Sequence, residues 1–402
     1  MSDPIFSQDG QFMWTGSEWI PAPPSSSQSA NVNLQDNVVG GDVNITQNNV
    51  EDITNAMVQA LEKLGFSGQS SPTELTSTQE KEVEKVLEIS EKLADYGITV
   101  DPWTEITLGL AAKLAGRTHS AQQHFQRALG TFRQNGDREG EGKSLHCLGT
   151  IKERQGELAE AERLYRGSLA FSRDIGDRQG EAATLSELGI IATTRHDLAE
   201  AGRLLSWSIA IMREIGDRKG EGKLLLRLGN IAERRGEYAE AERLYKESLV
   251  ITRDTGDRLA EAKSLNNLGN IFVAPRRAEY AEAERLYKES LAIRREFGDR
   301  QGEAACLNNL GIIAEMRGKL SEAERLYRNS LVIMREIGDR KGEADTLYNL
   351  GDIEDVRGLP IGAERLHKES LAIRREIGDK LGEAKSLNSL SGLTARLRRY
   401  RT

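Results

Sequence analysis

The sequence predicts an all-α fold: an α-solenoid of about seven helical hairpins with a C-terminal capping helix, preceded by a small β-containing or disordered N-terminal region. Three observations predict it. The pair Gly-Asp recurs at Gly136-Asp137, Gly176-Asp177, Gly216-Asp217, Gly256-Asp257, Gly298-Asp299, Gly338-Asp339 and Gly378-Asp379, at intervals of 40, 40, 40, 42, 40 and 40 residues, and a fixed period of this size marks a repeat architecture. Within the period, apolar residues fall at helical spacing, as in Leu265, Leu268, Ile271 and Phe272 and again in Leu286, Tyr287, Leu291 and Ile293, so each unit is a pair of amphipathic helices. The 402 residues are 38% hydrophobic, 5% aromatic and 29% charged, which supplies a large compact core poorly and an elongated array well.

From the N-terminal end, Asp9 to Trp19 alternates bulky residues around Thr15-Gly16-Ser17 and reads as a hairpin bearing Trp14 and Trp19, the first part of a module over residues 1–24. It resembles the short Trp-Asp-Gly-x-x-Trp modules found at the ends of prokaryotic proteins, and a local aromatic staple explains it better than a ligand site. Residues 25–50 begin with a serine linker and continue into an Asn/Val-rich segment. There Val32, Leu34, Val43 and Ile45 alternate with polar residues around Gly40-Gly41, which can form two short strands. An isolated hairpin is marginal in water, so residues 31–49 are the best hint of homo-oligomer formation, against the alternative of a partly ordered tether. Residues 51–101 form an acidic helical region, with helices over 51–65 and 79–96, the second capping the first repeat.

The array occupies residues 102–382, and its turn chemistry agrees with its period. The glycine of each Gly-Asp suits the left-handed residue that ends a helix, and the aspartate suits the N-cap of the next. Leu-Gly recurs at Leu108-Gly109, Leu148-Gly149, Leu188-Gly189, Leu228-Gly229, Leu268-Gly269, Leu310-Gly311 and Leu350-Gly351. A glycine inside a helix costs about 1 kcal/mol, so its recurrence implies close approach of the partner helix, with Ala121, Ala161, Ala201, Ala241, Ala283, Ala323 and Ala363 as the expected facing surface. An arginine stands before each turn (Arg133, Arg173, Arg213, Arg253, Arg295, Arg335, Arg375) and a glutamate one turn into each first helix (Glu141, Glu181, Glu221, Glu261, Glu303, Glu343, Glu383). That predicts an ion-pair staple between successive repeats. Residues 383–402 repeat the first-helix pattern through Leu387 and Leu390 but carry Ser391 where the glycine belongs, and end in a basic tail.

Leu265-x-x-Leu268-Gly269-x-x-Phe272 followed by Ala283-x-x-x-Tyr287 resembles the tetratricopeptide repeat. Where the commonest form has a helix-ending proline, this chain has the arginines named above. The 40-residue form is similar to the repeats of the Pins/LGN spindle-orientation adaptors and, more distantly, to those of kinesin light chains and bacterial regulators. The resemblance implies a right-handed superhelix with the first helices lining a concave groove. It also implies an adaptor or scaffold that holds an extended peptide, and the two cysteines, too few for a disulfide framework, together with the lack of a membrane-length apolar run make a cytoplasmic location the expectation.

Nothing in the chain organises a reaction. His119, His124, His146, His196 and His367 are scattered, and His124 and His367 replace repeat-core positions, where satisfied packing is the better reading. The glycines mark turns and helix packing, not a phosphate cradle. Cys147 and Cys306 lack metal-ligand spacing and are too few for a disulfide framework. No enzyme, cofactor or metal is expected, and no apolar run is long enough to span a membrane. The 55 basic and 63 acidic residues give a net charge of -8; residues 1–100 hold 15 acidic and 4 basic, leaving 48 and 51 to the rest, or +3. This near-neutral array, with arginine interleaved with glutamate, does not favour a nucleic-acid partner.

The residues beside the core Leu and Gly are then the binding candidates. Asparagine dominates them: Asn230, Asn266, Asn267, Asn270, Asn308, Asn309 and Asn349. An amide both donates and accepts, so a ladder at Asn267, Asn309 and Asn349 could pair with a peptide backbone while facing away from the helix interface. Lys223, Arg227, Lys263 and Arg234 make the early groove basic, and Asp345, Asp352 and Asp355 make its end acidic, so the expected partner is a protein or peptide acidic at one end. The alternatives are a scaffold self-associating through its N-terminal β segment and, with less support, a nucleic-acid-associated regulator.

Overall fold

A computed structural model describes residues 5–6, 12–14, 19–21, 50–67, 72, 75–95, 97–274 and 278–399. The chain divides into two compact units, Met1–Ile191 and Ala192–Thr402. The segment 31–49, expected to form strands, lies outside the described residues.

The first unit opens with three short strands, β1 (Ile5–Phe6), β2 (Phe12–Trp14) and β3 (Trp19–Pro21), in an antiparallel sheet of order β1-β2-β3. Trp14 stands opposite Trp19 in the β2–β3 hairpin, and Ile5 opposite Trp14 on the other edge. The expected hairpin is therefore part of a three-stranded meander. Two helices follow, α1 (Val50–Lys63) and α2 (Ser77–Asp95), then α3 (Pro102–Leu114), α4 (Thr118–Asn135), α5 (Arg138–Arg154), α6 (Leu158–Ile175) and α7 (Arg178–Thr194). Ile53, Met57 and Leu61 of α1 share one apolar cluster with Val83 and Leu87 of α2 and with Ile106 and Leu108 of α3. The cap is fastened by Arg117 to Glu84 at 3.3 Å and by Ser120 Oγ donating to Glu91 at 3.3 Å. The acidic helix α2 packs against the first hairpin through these contacts.

The second unit contains α8 (Leu198–Ile215), α9 (Arg218–Arg234), α10 (Tyr238–Asp254), α11 (Arg258–Val273) and α12 (Tyr280–Glu296). It continues with α13 (Arg300–Met316), α14 (Leu320–Glu336), α15 (Arg340–Val356), α16 (Pro360–Glu376) and α17 (Lys380–Arg399). No helix among the described residues is long and apolar enough to cross a membrane. In α17, Leu393 is buried while Leu387 is 43% exposed. This last helix thus packs on α16 by one side only.

The Gly-Asp turns form as their chemistry requires. Gly136, Gly176, Gly216, Gly256, Gly298, Gly338 and Gly378 all have φ between 65 and 76°, a region that costs other L-residues about 1–2 kcal/mol. Each aspartate caps the next helix; Asp339 Oδ1, for example, accepts from the amide of Gly342 at 2.8 Å. The reverse turn inside each hairpin also uses a left-handed residue, usually glycine, as at Gly236 and Gly318. At two turns the glycine is missing, and there His196 (φ 63°) and Ala278 (φ 49°) adopt the same conformation.

The helix glycines meet a different partner from the one expected. A Cβ on Gly109, Gly149, Gly229, Gly269 or Gly311 would lie 2.4–2.6 Å from the ring of Phe125, Tyr165, Tyr245, Tyr287 or Tyr327 respectively, and on Gly351 it would lie 2.7 Å from His367. The facing surface at these six glycines is a ring one turn beyond the alanine, whereas Leu205 follows Ala201, and the alanines themselves are fully buried. Serine hydroxyls lock the same hairpins. Ser248, Ser290, Ser330 and Ser370, all fully buried, donate to the backbone carbonyls of Gly222, Ala262, Ala304 and Ala344 at 2.7–2.9 Å.

The ion-pair staple is present at every turn. Arg133 to Glu141, Arg173 to Glu181, Arg213 to Glu221, Arg253 to Glu261, Arg295 to Glu303, Arg335 to Glu343 and Arg375 to Glu383 pair at 2.6–3.6 Å. A second cation, unforeseen, comes from the residue after the aspartate at every turn but the first, where Arg138 pairs with Asp174 instead: Arg218 and Arg340 lie 2.5 Å from Glu221 and Glu343 respectively, and Arg300 lies 2.7 Å from Glu303. Because Glu221, Glu303 and Glu343 are buried, two guanidinium groups compensate one desolvated carboxylate.

Three outcomes follow from these contacts. His196→Gly should raise stability by about 1 kcal/mol by removing a side chain from left-handed backbone, measured by urea denaturation; a fall would contradict the strain. Gly311→Ala should cost about 1–3 kcal/mol through its clash with Tyr327, and much less in a Tyr327→Leu background. A double-mutant cycle with no coupling would disprove the ring contact. Glu343→Gln should cost about 1–3 kcal/mol because it weakens two charge-assisted bonds to a buried group, whereas Glu282→Gln, in an exposed pair with Arg285, should change stability by about 0.5 kcal/mol. Equal costs would mean that burial does not matter to the staple.

Candidate peptide-binding face

In the second unit, the first helices α9, α11, α13 and α15 each present the residues flanking their Leu-Gly pair along one face. Asn230, Asn266, Asn267, Asn270, Asn308, Asn309 and Asn349 are half-buried there, while Lys223, Arg227 and Lys263 are exposed. Lys223 Nζ is 3.6 Å from Asp257, and among the described residues Arg227 and Lys263 have no ion pair.

The asparagines do not stand apart from the helix packing. Asn267 Nδ2 donates to Asn230 Oδ1 at 2.8 Å, Asn309 Nδ2 to Asn266 Oδ1 at 3.1 Å, and Asn349 Nδ2 to Asn308 Oδ1 at 3.1 Å. Each bond links one repeat to the one before it. The expectation that Asn267, Asn309 and Asn349 are independent of the helix interface is thereby corrected: a half-buried amide next to another finds its partner in the neighbouring helix. Half of the capacity is left over, since Asn230, Asn270 and Asn308 use only their carbonyl oxygens, and Asn309 and Asn349 only their amide nitrogens.

Tyrosine hydroxyls complete this face, and their role was not anticipated. Tyr245 donates to Asn230 Oδ1 at 2.7 Å and to Glu233 at 2.8 Å, Tyr287 to Asn270 Oδ1 at 2.8 Å, and Tyr327 to Glu315 at 2.9 Å. Burial and the nearby carboxylates push the phenols of Tyr245 and Tyr327 far above their ordinary range, so they remain donors. The recurrence of Tyr beside the Ala and Leu-Gly positions was the available signal. The ring packs on the helix glycine and its hydroxyl emerges on the first-helix face.

At the end of the unit the acidic residues are handled unequally. Asp345 pairs with Arg374 at 2.8 Å and Asp355 with Arg396 at 2.5 Å. Arg374 itself is buried, stacked 5.0 Å from the Tyr348 ring centroid and bonded to Gly382 O at 2.6 Å. Among the described residues, Asp352 has only His367 Nε2, at 3.6 Å.

The first unit is built differently. Glu105, in place of a core leucine, accepts from Arg127 Nε at 2.9 Å and lies 2.6 Å from His124 Nδ1, while His124 Nε2 has no partner. A cleft of about 570 Å³ is lined by Ser67, Trp103, Lys143, His146, Ser168 and Thr184 among others. Desolvation and then the charges of Lys143 and Lys113 lower His146 to about 4, leaving it neutral, and burial pushes the Cys147 thiol up. His124 and His367 were both expected to be satisfied by packing. Each instead has a buried ring nitrogen without a partner.

The family model described as Tetratricopeptide repeat matches residues 140–214, 221–296 and 273–336. Over these residues this chain carries tetratricopeptide repeats. It is similar to a Signal Transduction ATPase with Numerous Domains (STAND) protein with a tetratricopeptide repeat sensor from Pyrococcus horikoshii. That similarity has a TM-score of 0.60 at 14% identity, over 94% of this chain and 59% of the other. A Rap protein complexed with competence and sporulation factor aligns with a TM-score of 0.51 at 14% identity, over 87% of this chain and 98% of the other. The nearly identical repeats of a putative kinesin light chain from Podosopora anserina give 0.43 at 18% identity, over 50% and 99%. At these identities the likeness is one of fold. No curated protein sequence matches the chain.

Proposed function

We propose that this chain is an adaptor that holds an extended segment of a partner protein along the first-helix face of its second unit. The observation that carries this reading is the half-used asparagine ladder. Bonds between Asn267 and Asn230, Asn309 and Asn266, and Asn349 and Asn308 fix the rotamers, so the remaining donors of Asn230, Asn270 and Asn308 and the acceptors of Asn309 and Asn349 are pre-organised at repeat intervals. Pre-organised groups lose little entropy on binding. Amides that donate and accept suit a peptide backbone whatever its sequence.

Charge sets the direction of the bound segment. Arg227 and Lys263, with no ion pair among the described residues, and Lys223 favour an acidic stretch at the α9–α11 end, and Asp352 disfavours it at the α15 end. The fold similarity to a Rap protein complexed with competence and sporulation factor is consistent with a peptide-sized ligand, without naming one for this chain.

The test begins with a pull-down by the full chain and continues with fluorescence anisotropy on peptides tiled across the captured protein. Changing Asn267, Asn309 and Asn349 together to alanine removes three bonds worth roughly 0.5–1.5 kcal/mol each and releases the rotamers of their partners. Thermal stability should therefore fall, and affinity by about one to three powers of ten. Charge reversal at Lys223 and Lys263 should leave stability nearly unchanged and slow association, with reduced salt dependence. A peptide that binds the triple variant as tightly as wild type, at a temperature where circular dichroism shows both folded, places the site elsewhere.

A further inference from the structure

The last repeat breaks the pattern of its predecessors at two positions that touch. Asn230 and Asn270 each accept a hydrogen bond from the hydroxyl of the tyrosine packed on their helix glycine, Tyr245 at 2.7 Å and Tyr287 at 2.8 Å. At the same place in α15 the acceptor is Asp352, and the residue packed on Gly351 is His367. The imidazole fills the ring position and stops short of the carboxylate, with Nε2 3.6 Å from Asp352 Oδ1. His367 is 1% exposed, makes no hydrogen bond, and its Nδ1 has no partner. Asp352 therefore carries one more negative charge than its counterparts and has lost their donor.

The surroundings do not make up for it. The groups around Asp352 are Glu315 on α13, Tyr327 on α14, Asp355 on α15, and His367 and Arg374 on α16, with Tyr348 of α15 packed against the His367 ring. Tyr327 donates to Glu315, Arg396 is taken by Asp355, and Arg374 is committed to Asp345, Gly382 and Ser386. The Asp352 side chain is 39% exposed, so a ligand can reach it.

We infer that Asp352, left without a donor by His367, is a receptor for an N–H-bearing organic cation, the ammonium of a lysine side chain on the segment bound along this face. The assignment rests on the peptide reading above for the source of the lysine, while the ammonium site itself does not need it. A primary ammonium brings the missing donor and the missing positive charge together. Burial, then the charges of Glu315 and Asp355, raise the Asp352 carboxyl to about 6, with Arg374 opposing them. A bound cation favours the ionised form, so binding releases a proton near pH 6 and weakens as the pH falls below it.

The experiment is an NMR titration of the full chain labelled with ¹³C at the aspartate carboxyl carbons, the Asp352 resonance being assigned by its loss in Asp352→Asn. The probe is n-butylammonium chloride, compared with tetramethylammonium chloride, which has the same charge and no N–H. Butylammonium should lower the Asp352 midpoint by about one pH unit, and tetramethylammonium by much less. His367→Tyr, which restores the phenol donor, should lower the midpoint without amine and weaken the amine response about tenfold. Asp352→Asn should raise the melting temperature at pH 7.5, because an ionised carboxylate beside Glu315 and Asp355 is then gone. Equal shifts with the two cations, or no shift with either, would overturn the site in the wild-type chain alone. A butylammonium site in a chain that captures no peptide would leave this inference standing and remove the peptide reading.

Discussion

An aromatic ring seated on a glycine is the contact around which the hairpins at Gly109, Gly149, Gly229, Gly269 and Gly311 are organised. At Gly311 even one methyl group would come within 2.5 Å of the Tyr327 ring, so the distance between the two helices is set by the thickness of that ring and by nothing softer. Other features follow from this spacing. It lets the hydroxyls of Ser248, Ser290, Ser330 and Ser370 reach backbone carbonyls of the partner helix. It also threads the tyrosine hydroxyl past the first helix to the opposite face. Packing and the hydrogen bonding of the first-helix face thus share the same side chain.

Between hairpins the governing element is a desolvated carboxylate. Glu221 and Glu343 are buried by the turn that brings one repeat onto the next, and a buried carboxylate without compensation is expensive. Two guanidinium groups meet it, one from the helix before the turn and one from the helix it stands on. Arg213 and Arg335 reach onward to Glu247 and Glu369 at 2.6 Å, so each cation spans three helices. An arrangement of this kind specifies register as well as energy, since a slip of one residue separates the fork from its acceptor.

The first-helix face is where the repeats stop being equivalent. Packing positions hold Leu, Gly, Ala and Ser almost without change, while the positions beside them run from Lys223 and Lys263 through asparagine to Asp345 and Asp352. His367 shows how the two sets are coupled. As a ring on Gly351 it is equivalent to its tyrosine counterparts, and as a hydrogen-bond donor toward α15 it is not.

The sequence by itself determined the period, the two helices of each repeat, the Gly-Asp turn with its left-handed residue and cap, and the arginine–glutamate staple. All of these depend on residues near in sequence or on fixed backbone chemistry, and the seven copies of the pattern identify them together. Tertiary structure decided which side chain faces Gly311, that Asn267, Asn309 and Asn349 spend half of their amides on Asn230, Asn266 and Asn308, and that Trp103 and Ser67 help line the cleft beside His146. These contacts join residues tens of positions apart, and periodicity assigns a residue to a helix face without giving the reach of its side chain across to the next. The unmet acceptor at Asp352 is of the same kind: the Tyr-to-His and Asn-to-Asp changes are each legible in the sequence, but the 3.6 Å gap between His367 and Asp352 exists only once the two helices are packed.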